Sequence, residues 1–265
     1  AIQEDENKID YQEFITKTGI DPQKDIYFIA GALSGEMEKT KQKALVIINL
    51  KYNKDTLFSL ISEKIGKETE LQEQEYNGFK IYTFKKGEQG VSFSFIDESN
   101  IFAGDEIQVK SGIDVLRRKE ENVFKNEALS ALIAKTNKEA IFWGAVIVPP
   151  GAMDEAMSKA PLDASALDAL KAISAASLYL DYKNKNIMAE IKFMSSDASK
   201  NQETADYLNK FKTLGAMVTI QDFNLGEVLN RIEITSGVDH VRIYITIPED
   251  LINELSAKLK KPKPS

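Results

Sequence analysis

The sequence predicts an α+β protein made of two similar halves, each a largely antiparallel sheet with helices packed on one face. Three observations carry this expectation. Short apolar runs alternate with a period of two and come in hairpin pairs, the helices between them carry a single apolar stripe, and the same order of elements starts again after residue 120. Such strands and helices each have one face to cover, and packing one kind against the other covers both. Residues 1–120 then form the first half, 121–260 the second, and 261–265 a disordered basic tail.

A short helix opens the first half, with Tyr11, Phe14, Ile15 and Thr18 on one face and Gly19 at the position where a left-handed residue is tolerated. Asp21-Pro22 blocks its continuation. Ile26–Leu33 and Ala44–Leu50 read as a hairpin across a polar connection, and Asn53 caps a helix whose Leu57, Leu60, Ile61 and Ile65 form a stripe ended by Gly66. Strands follow at Phe79–Phe84, Val91–Ile96 and Ile101–Ala103. Val91, Phe93 and Phe95 alternate there with Ser92 and Ser94, as in a half-exposed sheet. Gly104-Asp105-Glu106 starts a helix with Val109, Ile113 and Leu116 on one face, and the acids complement its dipole.

The second half starts with a helix over Asn126–Thr136. The strand Ala140–Val148 is apolar on both faces and is therefore expected to be central, with Trp143 as core material. Pro149-Pro150-Gly151 stops it, and an Ala-rich helical segment runs from Ala152 to Ala176. Ala152, Ala156, Ala160 and Ala164 there allow close packing up to the interruption at Pro161. Ser177–Tyr182 and Ile187–Met194 form a hairpin around Lys183-Asn184-Lys185. A long helix near Ser199–Leu214 buries Ala205, Leu208 and Phe211. Val228–Thr235 and Val238–Ile247 flank a Ser236-Gly237 turn, and Glu249–Leu259 closes with Leu251, Leu255 and Leu259 one turn apart.

Composition excludes several function classes. A net charge of −7 works against nucleic acid as a partner, and no apolar run is long enough for a transmembrane segment. With no Cys in 265 residues, thiol catalysis, thiolate metal sites and disulfides are all absent, which leaves the redox compartment open. The first residues, Ala1-Ile2-Gln3, lack an initiating Met, as a processed secreted protein would. The lysines of Lys260-Lys261-Pro262-Lys263 read as a solvated terminus rather than a membrane-surface segment.

The string Phe14-Ile15-Thr16-Lys17-Thr18-Gly19-Ile20-Asp21-Pro22-Gln23-Lys24-Asp25 resembles a signature of exported bacterial proteins of unknown function, in which a helix and Thr-Gly-Ile-Asp-Pro lead into a hairpin. The resemblance continues through Tyr76–Tyr82, Phe95-Ile96-Asp97, Ile101–Asp105 and Val109–Ile113, and Ser177–Lys192 looks like its second half. These positions set turns and core faces. The resemblance therefore implies an exported, periplasmic or secreted location and no enzymatic activity, and it carries over no catalytic residue.

The residues themselves agree that catalytic signatures are missing. His240 is the only histidine, which excludes a two-imidazole zinc helix. A Ser-His-Asp triad would have to use it. Alternation places His240 with Arg242, Tyr244 and Thr246 opposite Val241, Ile243, Ile245 and Ile247, and points Asp239 away from it. There is no Gly-x-Gly, Gly66-Lys67 lacks the glycine of a phosphate loop, and neither Gly-x-Ser-x-Gly nor Ser-x-x-Lys occurs. Asp97-Glu98-Ser99-Asn100 fits a strand turn better than a cation site.

No catalytic, metal or cofactor-binding residue is therefore assigned, and no cofactor is expected. The expected function is a non-catalytic exported or envelope-associated protein that binds another protein or an envelope component and could form a homo-oligomer. The alternatives are a small-ligand or lipid-binding protein with a cleft between the halves, suggested by Phe93, Phe95 and Trp143, and a carboxylate-dependent hydrolase.

Overall fold

A computed structural model describes residues 11–34, 43–64, 69–86, 89–149, 151–152, 164–220 and 223–259. The fold is α+β, with two antiparallel sheets of six and five strands in two compact units, residues 1–122 and 123–265. Gly66 as a helix stop, Ala156, Ala160, Pro161 and the tail 261–265 lie outside the described residues.

Unit 1 begins with α1 (Tyr11–Thr18), where Gly19 takes φ +70° and its N–H closes the helix on Ile15. The turn α2 (Pro22–Asp25) leads into β1 (Ile26–Ser34) and β2 (Lys43–Leu50). Asn53 caps α3 (Lys54–Lys64) by accepting from Thr56 N–H at 2.9 Å. Then come β3 (Glu70–Tyr76), β4 (Phe79–Lys86), β5 (Gln89–Phe95), β6 (Asn100–Gly104) and α4 (Glu106–Leu116). Strand β3 is not predicted, because Glu-Leu-Gln-Glu-Gln-Glu-Tyr has little of the β-branched and apolar character of a strand. The turn after it provides the missed signal. Asn77 (φ +50°) and Gly78 (φ +83°) both adopt the left-handed geometry of a tight hairpin.

The sheet order is β1-β2-β6-β5-β4-β3. On one face, Tyr82, Phe84, Phe93, Phe95 and Ile101 pack against Phe14 of α1 and Leu57, Phe58 and Ile61 of α3. On the other, Ile81 and Phe102 pack against Val109 and Ile113 of α4. Helices thus cover both faces of the central strands of this sheet, and Ser92 and Ser94 are buried rather than half-exposed. Their small side chains leave room for α4, and their hydroxyls are satisfied by Thr83 Oγ1 at 2.7 Å and the Lys80 carbonyl at 2.9 Å. Gly112, whose Cβ would press on the Phe102 ring, brings α4 close to the sheet, while Leu116 stays exposed.

In unit 2, α5 (Glu127–Ala134) is capped by Asn126 and followed by β7 (Phe142–Ile147), α6 (Ala164–Lys171), β8 (Ala175–Lys183) and β9 (Asn186–Met194). Next are α7 (Ala198–Gly215), the two-residue strands β10 (Thr219–Ile220) and β11 (Phe223–Asn224), and α8 (Gly226–Leu229). The unit closes with β12 (Ile232–Ser236), β13 (His240–Pro248) and α9 (Glu249–Leu259). Val228 therefore belongs to a helical turn and Val238 to an exposed loop, not to strands.

The main sheet of unit 2 has the order β12-β13-β9-β8-β7. Strand β7 is an edge rather than the centre, and Trp143 is 37% exposed rather than core. An apolar run on both faces also suits an edge whose surface is left open, a case that periodicity does not separate from burial. Helix α7 runs along the opposite edge. Asn209 and Lys212 donate to the carbonyls of Ile234 and Ile232 at 3.4 and 3.0 Å, which satisfies an edge that would otherwise accept another strand. Phe211 on the same helix is 52% exposed instead of buried.

The two units share a topology. In each, the strand before the crossover helix (β2 before α3, β9 before α7) pairs with the last strand of the unit (β6, β13), and a helix follows (α4, α9).

Candidate functional site

The only histidine stands at the first residue of β13, just after the turn Gly237-Val238-Asp239. That turn is held from three directions. Gly237 N–H donates to the His240 carbonyl at 2.7 Å, Ser195 N–H donates to the Asp239 carbonyl at 3.1 Å, and Ser236 Oγ bonds Gln202 Oε1 at 2.6 Å. Asn201 of α7, 2% exposed, places its Nδ2 at 3.2 Å from the carbonyls of Ser195, Gly237 and Val238. At Gly237 a Cβ would meet the imidazole at 2.8 Å, so glycine there gives the ring its room.

His240 Nδ1 and Asp239 Oδ1 are 2.7 Å apart, which corrects the expectation that Asp239 points away. Period-two alternation applies only to residues within a strand. Asp239 lies in the turn, outside β13, so its side chain can fold back onto its neighbour. The hydrogen bond from His240 holds the Asp239 carboxyl below its ordinary range, with lesser help from Lys135, whose Nζ is 3.5 Å away.

His240 shares the face of Arg242 and Tyr244, as alternation predicts, and lines a pocket of about 150 Å³ with Leu132, Lys135, Ser177, Lys192, Met194 and Asp239. A buried serine, an imidazole and a carboxylate thus meet one cavity. Among the described residues, however, no hydrogen bond joins Ser177 to His240. Ser177 is opposite Lys192, and Lys192 opposite Arg242. Ser177 is thus two strands from Arg242, and His240 lies two residues further along β13, about 12 Å from Ser177 at ordinary strand geometry, which leaves a Ser-His-Asp relay unassembled.

Both lysines already have acidic partners, Lys135 at Asp239 and Lys192 at Glu190, 3.0 Å away. Glu190 also meets Arg242 Nε at 2.6 Å, and the Arg242 guanidinium lies 4.5 Å from the centre of the Tyr244 ring. Burial alone would raise the Glu190 carboxyl, but the hydrogen bonds from Arg242 and Lys192 outweigh it and leave the group lowered. Hairpin register alone would have grouped Ser177, Lys192 and His240 on one face; Lys135 and Leu132 come from α5 and carry no such signal.

The other residues weighed from sequence have structural roles. Asp97 Oδ1 accepts from Ser99 and Asn100 N–H, both at 2.8 Å, which makes the strand turn. Asp105 makes no side-chain cap on α4. Its Oδ2 accepts instead from Ala44 N–H at 2.7 Å and fastens α4 to β2. Phe93 and Phe95 are buried inside unit 1, in a cluster of rings with Tyr82 and Phe84. Among the described residues no group of three or more His, Asp or Glu converges on one point as a metal site would require, and no helix is long and apolar enough to cross a membrane.

The chain is similar to three crystal forms of TP0453. Form III is 13% identical with a TM-score of 0.48, covering 97% of this chain and 87% of that one. Form IV is 12% identical with a TM-score of 0.46, covering 94% and 84%, and form I is 11% identical with 0.49, covering 96% and 86%. No curated protein matches the chain. Residues 11–255 match a family described as protein of unknown function (DUF3352), and the chain, matched over nearly its whole length, belongs to that family.

Proposed function

We propose that this is a non-catalytic protein, exported or envelope-associated, that binds another protein or an envelope component through an open face of the unit 2 sheet. One observation carries the reading. Register places Phe142, Val146, Leu180 and Ile191 on the same face, and they remain 56%, 49%, 41% and 38% exposed. Together they leave an apolar patch on the order of several hundred Å², the size at which an exposed patch marks an interaction site. The pocket beside His240, at about 150 Å³, is smaller than the 300 Å³ or more of a drug-sized ligand site, and its nucleophile and base are apart. Export rests on the resemblance of the Phe14–Asp25 segment.

The test is a photo-crosslinking residue at Leu180 in the full chain, expressed at natural level in source cells that are then fractionated. The expected result is one discrete protein adduct in the exported or envelope fraction, lost when Phe142→Ser and Ile191→Ser are added. Adducts with lipid alone would move the assignment to a lipid-binding protein. Recovery of the protein in the cytosol would end the case for export.

A further inference from the structure

We infer that β1 is a self-pairing edge: two copies of this chain join antiparallel through Ile26–Ser34, with the two-fold axis at Ala30, into one continuous sheet. This rests on unit 1 and is independent of the unit 2 face. The four strand edges of the two main sheets are treated differently. β3 carries Glu70, Glu73 and Glu75, β12 is occupied by α7, and β7 and β1 have no charge. In β1 every residue from Tyr27 to Leu33 is exposed, with Tyr27 at 61%, Ile29 at 62% and Leu33 at 78%. The register with β2 shifts once, between Ile26 and Phe28, and beyond that point the edge has neither the charge nor the proline that prevents strand addition.

The order of side-chain sizes within β1 selects a second copy as the occupant. Antiparallel pairing about Ala30 sets Ile29 opposite Gly31 and Phe28 opposite Ala32, a large side chain against a small one in each, and Tyr27 opposite Leu33, an aromatic against an aliphatic. Within Ile26–Ser34 no charges are brought together. The two Asp25 carboxylates at the strand entrances end up about 30 Å apart, at roughly 3.4 Å per residue. Tyr27, Phe28, Ile29 and Leu33 leave on the order of 500 Å² uncovered per copy, so pairing removes at most about 1,000 Å² of side-chain surface, to which the paired backbone adds, which places the contact at the small end of specific interfaces.

The absence of native cysteine makes the register directly testable. Residues facing each other across an antiparallel pair have Cα atoms about 4.5–5.5 Å apart, within disulfide range. In the full chain, Ala30→Cys is expected to form a disulfide dimer under mild oxidation at least tenfold faster than Val238→Cys, whose position is 80% exposed. Ala32→Cys alone should not link, because its two copies lie about 13 Å apart. Mixed with Phe28→Cys it should. In sedimentation equilibrium the cysteine-free chain should dimerise with concentration, and Ile29→Lys or Gly31→Lys should be monomeric at unchanged far-ultraviolet dichroism; at Gly31 a Cβ meets nothing nearer than 4.0 Å, so that variant is expected to fold. A monomeric parent chain, equal linking of Ala30→Cys and Val238→Cys, or a dimer that survives Gly31→Lys would each overturn the proposal.

Discussion

The same succession of strands, crossover helix and closing strand produces two differently finished halves. In unit 1 helices cover both faces of the central strands β4, β5 and β6, and every buried aromatic side chain among the described residues, Tyr82, Phe84, Phe93, Phe95 and Phe102, lies there. In unit 2 the buried apolar residues are alanines and aliphatics in equal measure, the latter Leu132, Ile133, Ile173, Val241 and Leu251, with no aromatic among them, while Phe142, Trp143, Leu180 and Phe211 face outward. Unit 2 is organised instead by polar ties: Glu190 between Lys192 and Arg242, Asn201 under the β12–β13 turn, and Lys212 on the β12 edge. Topology fixes which strands meet, and the size of the inward side chains decides whether the faces close. In unit 1 the larger share of the apolar area went into a two-sided core and the remainder lies along the edge β1; in unit 2 the large apolar side chains of the sheet stayed on the surface, available for association.

The contrast breaks most readily at Phe93. Phe93→Ala removes a ring stacked on Tyr82 and Phe84 and is expected to cost about 3–5 kcal/mol, read from urea denaturation followed by far-ultraviolet dichroism. A cost below about 1 kcal/mol would mean that the unit 1 core is not the tighter one.

The next effect tests the polar ties of unit 2. Glu190, with 12% of its side chain exposed, has a folded carboxyl lowered below its unfolded value. Its contribution is therefore fully present above the unfolded value, near pH 4.3, and is lost as pH falls through the folded one. Glu190→Gln is expected to cost about 1–3 kcal/mol at neutral pH, discounted from a fully buried pair because Arg242 is partly exposed, and to flatten the acid limb of the stability profile. Trp143, the single tryptophan, is in β7 and reports this unit by fluorescence. An acid limb unchanged by the substitution would remove the ion pairs from the account.

The smallest effect is predicted on the open face. Leu180→Ser, at a position 41% exposed, should change stability by no more than about 0.5–1 kcal/mol by the same fluorescence melt. A loss as large as that at Phe93 would show that the face is in fact covered.

Much of the fold can be read from the residues because strand period, glycine turns and helix caps are local. Gly19 as a helix stop, Asn53 as a cap, and the hairpin of Ser177–Tyr182 with Ile187–Met194 all return in the structure. What local pattern leaves open is the identity of the neighbour. Ser92 and Ser94 look solvent-facing until α4 is placed over them, and the double-sided apolar run of β7 looks central until its strand order is known. The pocket was harder to see than the fold, since it joins α5, β8, β9 and a turn, and only the last of these places Asp239 beside His240 by adjacency in sequence.

The glutamates along β3 have a consequence for assembly. If two copies of unit 1 pair through β1, the joined sheet ends at both outer margins in a β3 strand with Glu70, Glu73 and Glu75. Both β1 edges are used up in the pair, and a third copy offering its own β3 to either margin would bring carboxylate against carboxylate. Growth by this route is self-limiting, and a strand addition that could otherwise propagate into a fibre terminates at two.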